Sequence, residues 1–180
     1  AMILYPTWYD PFHDCLCPLE RILDVMEAQT RAWREDRHGW IATGMRLWKR
    51  KPLQGFFGES RKVIFDNDPA RARARADASG RRWMVWAGKA RDAHTAVRVE
   101  DGFLRSRGLG AALVPPLSLI TDDRGIYYDP TRPSMSERLI AERETLRPDQ
   151  AQRARALISA IVDAGLSKYN LGGSAPTLPE

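Results

Sequence analysis

Val97-Arg98-Val99-Glu100-Asp101-Gly102-Phe103-Leu104-Arg105-Ser106-Arg107-Gly108-Leu109-Gly110 begins as a strand and breaks into a turn. Ala96 to Val99 has the alternation and β-branched content of a short strand, and Gly102 permits backbone angles that bulkier residues resist. Two acids therefore stand at the carboxyl end of a strand. In open α/β sheets that edge is where ligands bind, which makes Glu100 and Asp101 candidates for acid, base or hydroxyl-orienting work. The same residue types also build an ordinary polar turn, in which the carboxylates cap a following helix or pair with Arg105 and Arg107. Gly108 and Gly110 suit turn geometry better than phosphate cradling, because Gly-x-Gly without a third glycine opening a helix is a weak nucleotide fingerprint.

Working outward, strand-like and helical stretches alternate. Trp40 to Gly44 reads as a first strand, and Arg46 to Phe57 as a helix interrupted or bent near Pro52 and Gly55. Val63 to Phe65 follows as a second strand. Asp68 and Pro69 open an Ala-Arg helix that Gly80 closes, and Trp83 to Trp86 is a third strand before the fourth at Val97. This order predicts right-handed βαβ units and a mainly parallel sheet. Leu117 to Thr121 and Gly125 to Tyr128 read as a strand pair joined by a tight turn at Asp123 to Gly125. Ser134 with Glu137 is a capping-box signature for a helix to Glu144, and a last helix runs from Pro148 to Ala164. Before the first strand, Leu19, Ile22, Leu23, Met26 and Trp33 mark an amphipathic helix entered through Pro18.

With 180 residues and 43% hydrophobic content, the chain can bury one core. No segment has the apolar length needed to span a bilayer, and the first residues lack the basic and apolar regions of a signal peptide. Cys15 and Cys17 are badly placed for a mutual bridge and fit a reducing cytoplasm. With His13 they offer three metal-ligand types but no fourth, so no metal is expected. The net charge of +5 is concentrated, with 19 basic against 9 acidic side chains between residues 31 and 107. Such a surface suits anionic substrates or headgroups. Nucleic acid is not expected, because Arg71, Arg73 and Arg75 alternate with alanine on a helix and lack aromatic interleaving. Val63-Ile64-Phe65-Asp66-Asn67-Asp68 resembles the strand-end Asp-x-Asp of haloacid-dehalogenase-type phosphatases. Ala70 occupies the position for Thr or Val, however, and Asp68-Pro69 is explained as a helix start.

Three strings together carry a more specific resemblance. Glu100-Asp101-Gly102-Phe103-Leu104-Arg105-Ser106, Pro115-Pro116-Leu117-Ser118-Leu119-Ile120-Thr121-Asp122-Asp123-Arg124-Gly125-Ile126-Tyr127-Tyr128-Asp129 and Ser167-Lys168-Tyr169-Asn170 resemble the bacterial capsule polysaccharide synthesis and export family. Its enzymes are retaining β-Kdo glycosyltransferases; Kdo is the acidic sugar 3-deoxy-manno-octulosonic acid. The resemblance covers about Trp40 to Leu171, and Ala42 to Pro52 looks like the opening of the second catalytic module of two-module members. It implies a Rossmann-like three-layer α/β domain at 39–171, one half of a GT-B type enzyme. An N-terminal extension and linker helix occupy 1–38, and a loop-like tail 172–180.

The resemblance further implies transfer of β-Kdo from CMP-Kdo to a lipid-linked Kdo acceptor, without a resident cofactor. This chain would supply the acceptor side. In the family, the nucleophilic aspartate and most cytidine contacts lie beyond Ser-Lys-Tyr-Asn, so a further C-terminal half-domain or companion module is expected as partner. Double displacement also needs a base for the acceptor hydroxyl. Glu100 is the first candidate and Asp101 the second. Arg105 and Ser106 are expected to hold a sugar carboxylate or phosphate, unless Arg105 pairs with Glu100 to shape the turn. Ser118, Asp123 and Tyr127 complete the expected substrate contacts, with Tyr128 as a second stacking ring. Trp48, Lys49 and Arg50 are expected to touch acceptor or membrane, at the cytoplasmic face of the inner membrane. The rival reading is a non-catalytic binding or assembly module of capsule polysaccharide export.

Overall fold

The computed structural model describes residues 7–89, 93 and 95–172. Its centre is a five-stranded sheet built from β3 (Trp40–Thr43), β4 (Ile64–Phe65), β5 (Arg82–Trp86), β6 (Val97–Asp101) and β7 (Leu119–Asp122), in the order β4-β3-β5-β6-β7. The first four strands are parallel, and β7 returns antiparallel along β6. Helix α2 (Leu47–Phe57) links β3 to β4, and α3 (Pro69–Ser79) links β4 to β5.

Period-two alternation divides the core into two layers. Trp40, Ala42, Met84, Val97 and Val99 pack with Leu53 on the α2 side. Ile41, Trp83, Val85 and Ala96 pack with Ala72 and Ala76 on the α3 side. The Ala-Arg repeat thus has a simple logic. Alanines four apart bring α3 close to the sheet, while Arg71 and Arg75, also four apart, reach Asp66 at the end of β4. Arg71 donates to both Asp66 oxygens at 2.6 and 2.8 Å, and Arg75 donates at 3.3 Å. Asp66, the would-be phosphatase aspartate, is therefore a buried helix anchor. Asp68 caps α3 by accepting from the Arg71 N–H, and Gly80 ends it at φ +64°.

Other expectations shift in detail. Helix α2 runs unbroken through Pro52. The anticipated hairpin at 117–128 is absent. Only Leu119–Asp122 is a strand, and it pairs with β6, leaving 125–128 outside any strand. The reason is Asp122, whose Oδ1 accepts from the Arg124 and Gly125 N–H groups while Oδ2 accepts from Met135 N–H, folding the chain away from a strand path. The capping box forms as expected, with Glu137 N–H donating to Ser134 and Ser134 N–H to Glu137, but α4 (Met135–Ala141) tightens into a 3₁₀ turn at Glu142–Thr145. Helix α5 (Pro148–Asp163) has no buried residue and carries Leu157, Ile158 and Val162 in the open.

Ahead of the sheet, β1 (Trp8–Asp10) and β2 (Cys15–Cys17) form a hairpin that was not expected from sequence. His13 hydrogen-bonds Asp10 at 2.9 Å, and Arg21 also binds that carboxylate. Helix α1 (Leu19–Asp36) is tied to the sheet at its carboxyl end, where Trp40 donates to Asp36 at 2.6 Å and Arg82 pairs with Glu35 at 3.0 Å. The tail expected at 172–180 lies outside the described residues from 173 onward.

Hydrogen bonding from Arg71, aided by Asp68 N–H and Arg75, holds the Asp66 carboxyl well below its ordinary value despite burial. A depressed carboxylate stabilises the fold above its unfolded value and loses that contribution as pH falls through the folded one. Asp66→Asn is therefore expected to lower the urea midpoint at neutral pH. The gap from wild type should shrink as pH drops below the usual carboxylate range, as followed by denaturation at a series of pH values.

Candidate active site at the carboxyl edge of the sheet

The chain between β6 and β7 closes on itself. Gly102 N–H donates to the Ser118 carbonyl at 3.0 Å, Leu117 N–H to the Arg105 carbonyl at 2.6 Å, and the Ser118 hydroxyl to the Leu104 carbonyl. A Cβ on Gly102 would stand 2.9 Å from Ser118 Cβ, so only glycine permits this approach. Ser118 is thus placed as a loop fastener. The Ser-Lys-Tyr-Asn string then returns from the far end of the chain to clamp the same loop. The Lys168 carbonyl accepts from Arg105 and Ser106 N–H at 2.9 and 3.3 Å, the Tyr169 carbonyl from Gly108 N–H at 2.6 Å, and Asn170 Nδ2 donates to the Ser106 carbonyl at 3.1 Å.

Arg105 lies at the centre of this clamp, fully buried. Its Nε donates to Asp101 Oδ2 at 2.9 Å and its Nη1 to the Ser106 hydroxyl at 2.6 Å, which passes a bond on to the Gly108 carbonyl. Arg105 is indeed the turn-shaping ion pair that the residue types allowed, with Asp101 in place of Glu100 as its partner. Arg105 and Ser106 are both buried and support the loop, while Arg105 also lines the cleft with its Nη2 enclosed without a hydrogen-bond partner.

Glu100 and Asp101 are neighbours in sequence and point to opposite faces of the sheet, as alternation requires. Asp101 lies on the α2 side, in a cleft of about 380 Å³ lined also by Gly44, Arg46, Trp48, Lys49 and Trp86. Its Oδ1 is enclosed without a hydrogen-bond partner and stands 3.7 Å from Lys49 Nζ. Lys49 in turn sits over the Trp86 ring, 3.1 Å from its centroid. Burial lowers the Lys49 pKa against the pull of Asp101. The cleft continues past Trp48 into an apolar groove of about 570 Å³ beside Lys51, lined by Pro52, Phe56, Leu113 and Pro115.

Glu100 lies on the other face. Its Oε1 accepts from Asp101 N–H at 3.0 Å and its Oε2 from the Tyr128 hydroxyl at 3.3 Å. Burial, then the neighbouring Glu100 carboxylate, pushes the Tyr128 phenol up to about 12, so it stays a donor at neutral pH. Tyr127 packs on Phe103 at 4.9 Å and edge-on to Tyr128 at 5.2 Å, and receives Lys168 Nζ at 3.3 Å. Asp123 stands apart. Register pairs Asp101 with Leu119 and Arg98 with Asp122, so the exposed Asp123 follows at the opposite end of β7 from the cleft. Lys49, expected at an acceptor or membrane contact, lies in the cleft, and Trp86 beneath it is the site residue most clearly missed, since nothing in sequence brings the end of β5 against the first turn of α2.

A sheet with helices on both faces and a cationic cleft at its carboxyl edge defines a Rossmann-like α/β unit. Two solved structures share this architecture: Thermosulfurimonas dismutans KpsC, beta Kdo 2,4 transferase, and KpsC, beta Kdo 2,7 transferase. The first is 30% identical, with TM-score 0.53 over 77% of this chain and 44% of that one. The second is 26% identical, with TM-score 0.55 over 69% and 42%. The family of capsule polysaccharide biosynthesis proteins matches residues 77–170, and the chain belongs to it. Relatives include the capsule polysaccharide modification protein LipA of Neisseria meningitidis, 33% identical over 99% of this chain and 27% of LipA. The lipopolysaccharide-processing protein LpsZ of Rhizobium meliloti is 56% identical over 44% of this chain and 18% of LpsZ. The chain therefore spans about a quarter or less of these curated relatives.

Removing one partner of a buried ion pair strands the other. Arg105→Leu is expected to cost roughly 3–5 kcal/mol in urea unfolding, whereas the paired change Arg105→Leu with Asp101→Leu should recover part of that loss.

Proposed function

We propose that this chain forms the acceptor-side half of a β-Kdo transferase in capsule polysaccharide synthesis, moving Kdo from CMP-Kdo to a lipid-linked Kdo acceptor. The observation that carries the reading is the cleft in which Asp101, Lys49 and Trp86 meet at the carboxyl edge of the sheet, on a fold shared with two Kdo transferases. An acidic sugar presents a carboxylate to lysine and arginine and an apolar ring face to indole. The adjoining groove, with Pro52, Phe56 and Leu113 beside Lys51, suits the lipid portion of such an acceptor and an anionic membrane surface.

The chemistry divides between two halves. An aspartate on the partner half displaces CMP and takes the sugar covalently; an acceptor hydroxyl then attacks the anomeric carbon, releasing the aspartate and giving its proton to a base. In this reading the acceptor spans the end of β6, with Asp101 on its cleft side and Glu100, on the other face of the sheet, as that base. Glu100 Oε2 already shares a hydrogen bond with Tyr128, which orients the carboxylate. Asp101 acts on the acceptor side through Lys49, whose Nζ stands 3.7 Å from its Oδ1.

In the complete polypeptide that carries this chain, Glu100→Gln is expected to reduce Kdo transfer from CMP-Kdo to a Kdo-primed phospholipid by about 10²- to 10⁴-fold, with the fold intact by circular dichroism. Unchanged turnover would remove Glu100 from the chemistry. The 180-residue chain alone is expected to show no transfer and no tight CMP binding in titration calorimetry. Tight CMP binding would move the donor site into this half. Loss of neither activity nor acceptor binding in both Glu100→Gln and Asp101→Asn would favour a non-catalytic assembly module.

A further inference from the structure

Trp48, Lys51, Pro52 and Phe56 of α2 form one wall of the apolar groove of about 570 Å³, and Leu113 and Pro115, from the loop between β6 and β7, line it as well. Helical spacing gathers the α2 residues on one face, and Leu47 stands one turn before Lys51 at its edge. Leu47 is 78% exposed, Leu113 61% and Phe56 40%. A monomer rarely leaves such a patch to water without a use for it. Leu113 is the least expected of these residues. It closes the 3₁₀ turn Gly110–Ala112 at φ +59°, its N–H donating to the Gly110 carbonyl at 3.0 Å. Glycine takes that left-handed conformation freely, whereas a side chain there is strained. An exposed leucine at a strained position serves neither the backbone nor the core, which leaves an external contact as its use.

Charge selects the partner. Residues 46–58 and 102–121, which supply the lining of the groove, contain six basic side chains and no Asp or Glu, although acids make up 23 of the 180 residues of the chain. Arg46, Lys51 and Arg107 are exposed. A second copy of the chain would set these cations against their own counterparts, whereas an anionic lipid surface answers them. Helix α5 makes the contrast. Its Leu157, Ile158 and Val162 are also exposed, but Asp149 and Asp163 stand among its arginines and it offers no such match.

We propose that this face is a peripheral docking surface for an anionic bilayer, with Leu47, Phe56 and Leu113 entering the interface while Arg46 and Lys51 meet lipid headgroups. Trp48 lines both the groove and the Asp101 cleft, so docking opens that cleft at the bilayer surface. The proposal deepens the reading of a lipid-linked acceptor and rests on it for what the bilayer carries. Docking itself does not depend on sugar transfer.

The test is co-sedimentation with vesicles. The 180-residue chain is spun with phosphatidylcholine vesicles that hold about 30% phosphatidylglycerol, about 30% phosphatidylserine or no anionic lipid. Binding to both anionic kinds is expected, absent without anionic lipid and weakened by added salt. Lys51→Gln is expected to weaken it about fivefold and Leu47→Gln about tenfold, while Leu157→Gln on α5 leaves it unchanged. Leu113→Gly should bind about tenfold more weakly and yet melt no lower than wild type, since glycine relieves the backbone. No binding to anionic vesicles, wild-type binding in Leu47→Gln and Leu113→Gly, or a lower melting temperature in Leu113→Gly would overturn the proposal. Binding to one anionic lipid alone would assign a single headgroup in place of a surface and overturn it too. So would a dimer in solution that Leu113→Gly dissociates, which gives the face to a second copy, or binding lost in the complete polypeptide, where the other half then covers it. Transfer is not measured, so failure here leaves the transferase reading standing.

Discussion

A guanidinium with no access to water must find its partners inside the protein, and the architecture around Arg105 supplies them to Nε and Nη1, leaving Nη2 enclosed without one. Asp101 comes from the end of β6, Ser106 from the adjacent turn, and the backbone bonds to Lys168 and Leu117 from two distant points of the chain. Removing any of these contacts would leave a charge or an amide unsatisfied in a dry interior, where the penalty is larger than the bond itself is worth. The ion pair therefore does for this loop what a hydrophobic plug does for a core. It fixes the position of the chain between β6 and β7, and with it the wall of the cleft.

Strand geometry imposes the second constraint. Two consecutive acids cannot both enter one cleft from a regular strand, so Glu100 and Asp101 serve different surroundings. Asp101 faces lysine and indole on the α2 side, and Glu100 faces a tyrosine and, beyond it, Arg98. A single pentapeptide strand thereby equips both faces of the sheet edge with charge. The partition also explains how the family motif can be long and still ordinary in composition: Gly102, Arg105 and Ser106 hold the turn, and Asp101 joins them through its Oδ2 while its Oδ1 has no hydrogen-bond partner.

Much of the fold was legible in sequence because its signals are local. The Asp68-Pro69 start and Gly80 stop of α3, the Ser134 capping box and the alternation of β3, β5 and β6 each depend on a few adjacent residues. What was not legible depends on pairing at a distance. The hairpin expected at 117–128 looked as good locally as the strand that forms, and β6 decided between them by offering an edge to Leu119–Asp122. The same holds for the site. Its acids were visible at a strand end, whereas Lys49 over Trp86 and the commitment of Asp122 to backbone amides require knowing which strands are neighbours. The motif resemblance supplied the family, and geometry then gave Arg105, Ser106 and Ser118 a part in holding the loop.

The clamp made by Lys168, Tyr169 and Asn170 has a consequence for how the protein is made. The strands and helices through Trp86 can pair and pack as soon as they leave the ribosome, since their contacts are close in sequence. The loop after β6 cannot, because the carbonyls that receive its N–H groups belong to residues synthesised more than sixty positions later. During translation the sheet therefore exists before its carboxyl edge is shaped, and the nascent chain carries the family motif in an unclosed form until the last helix has emerged.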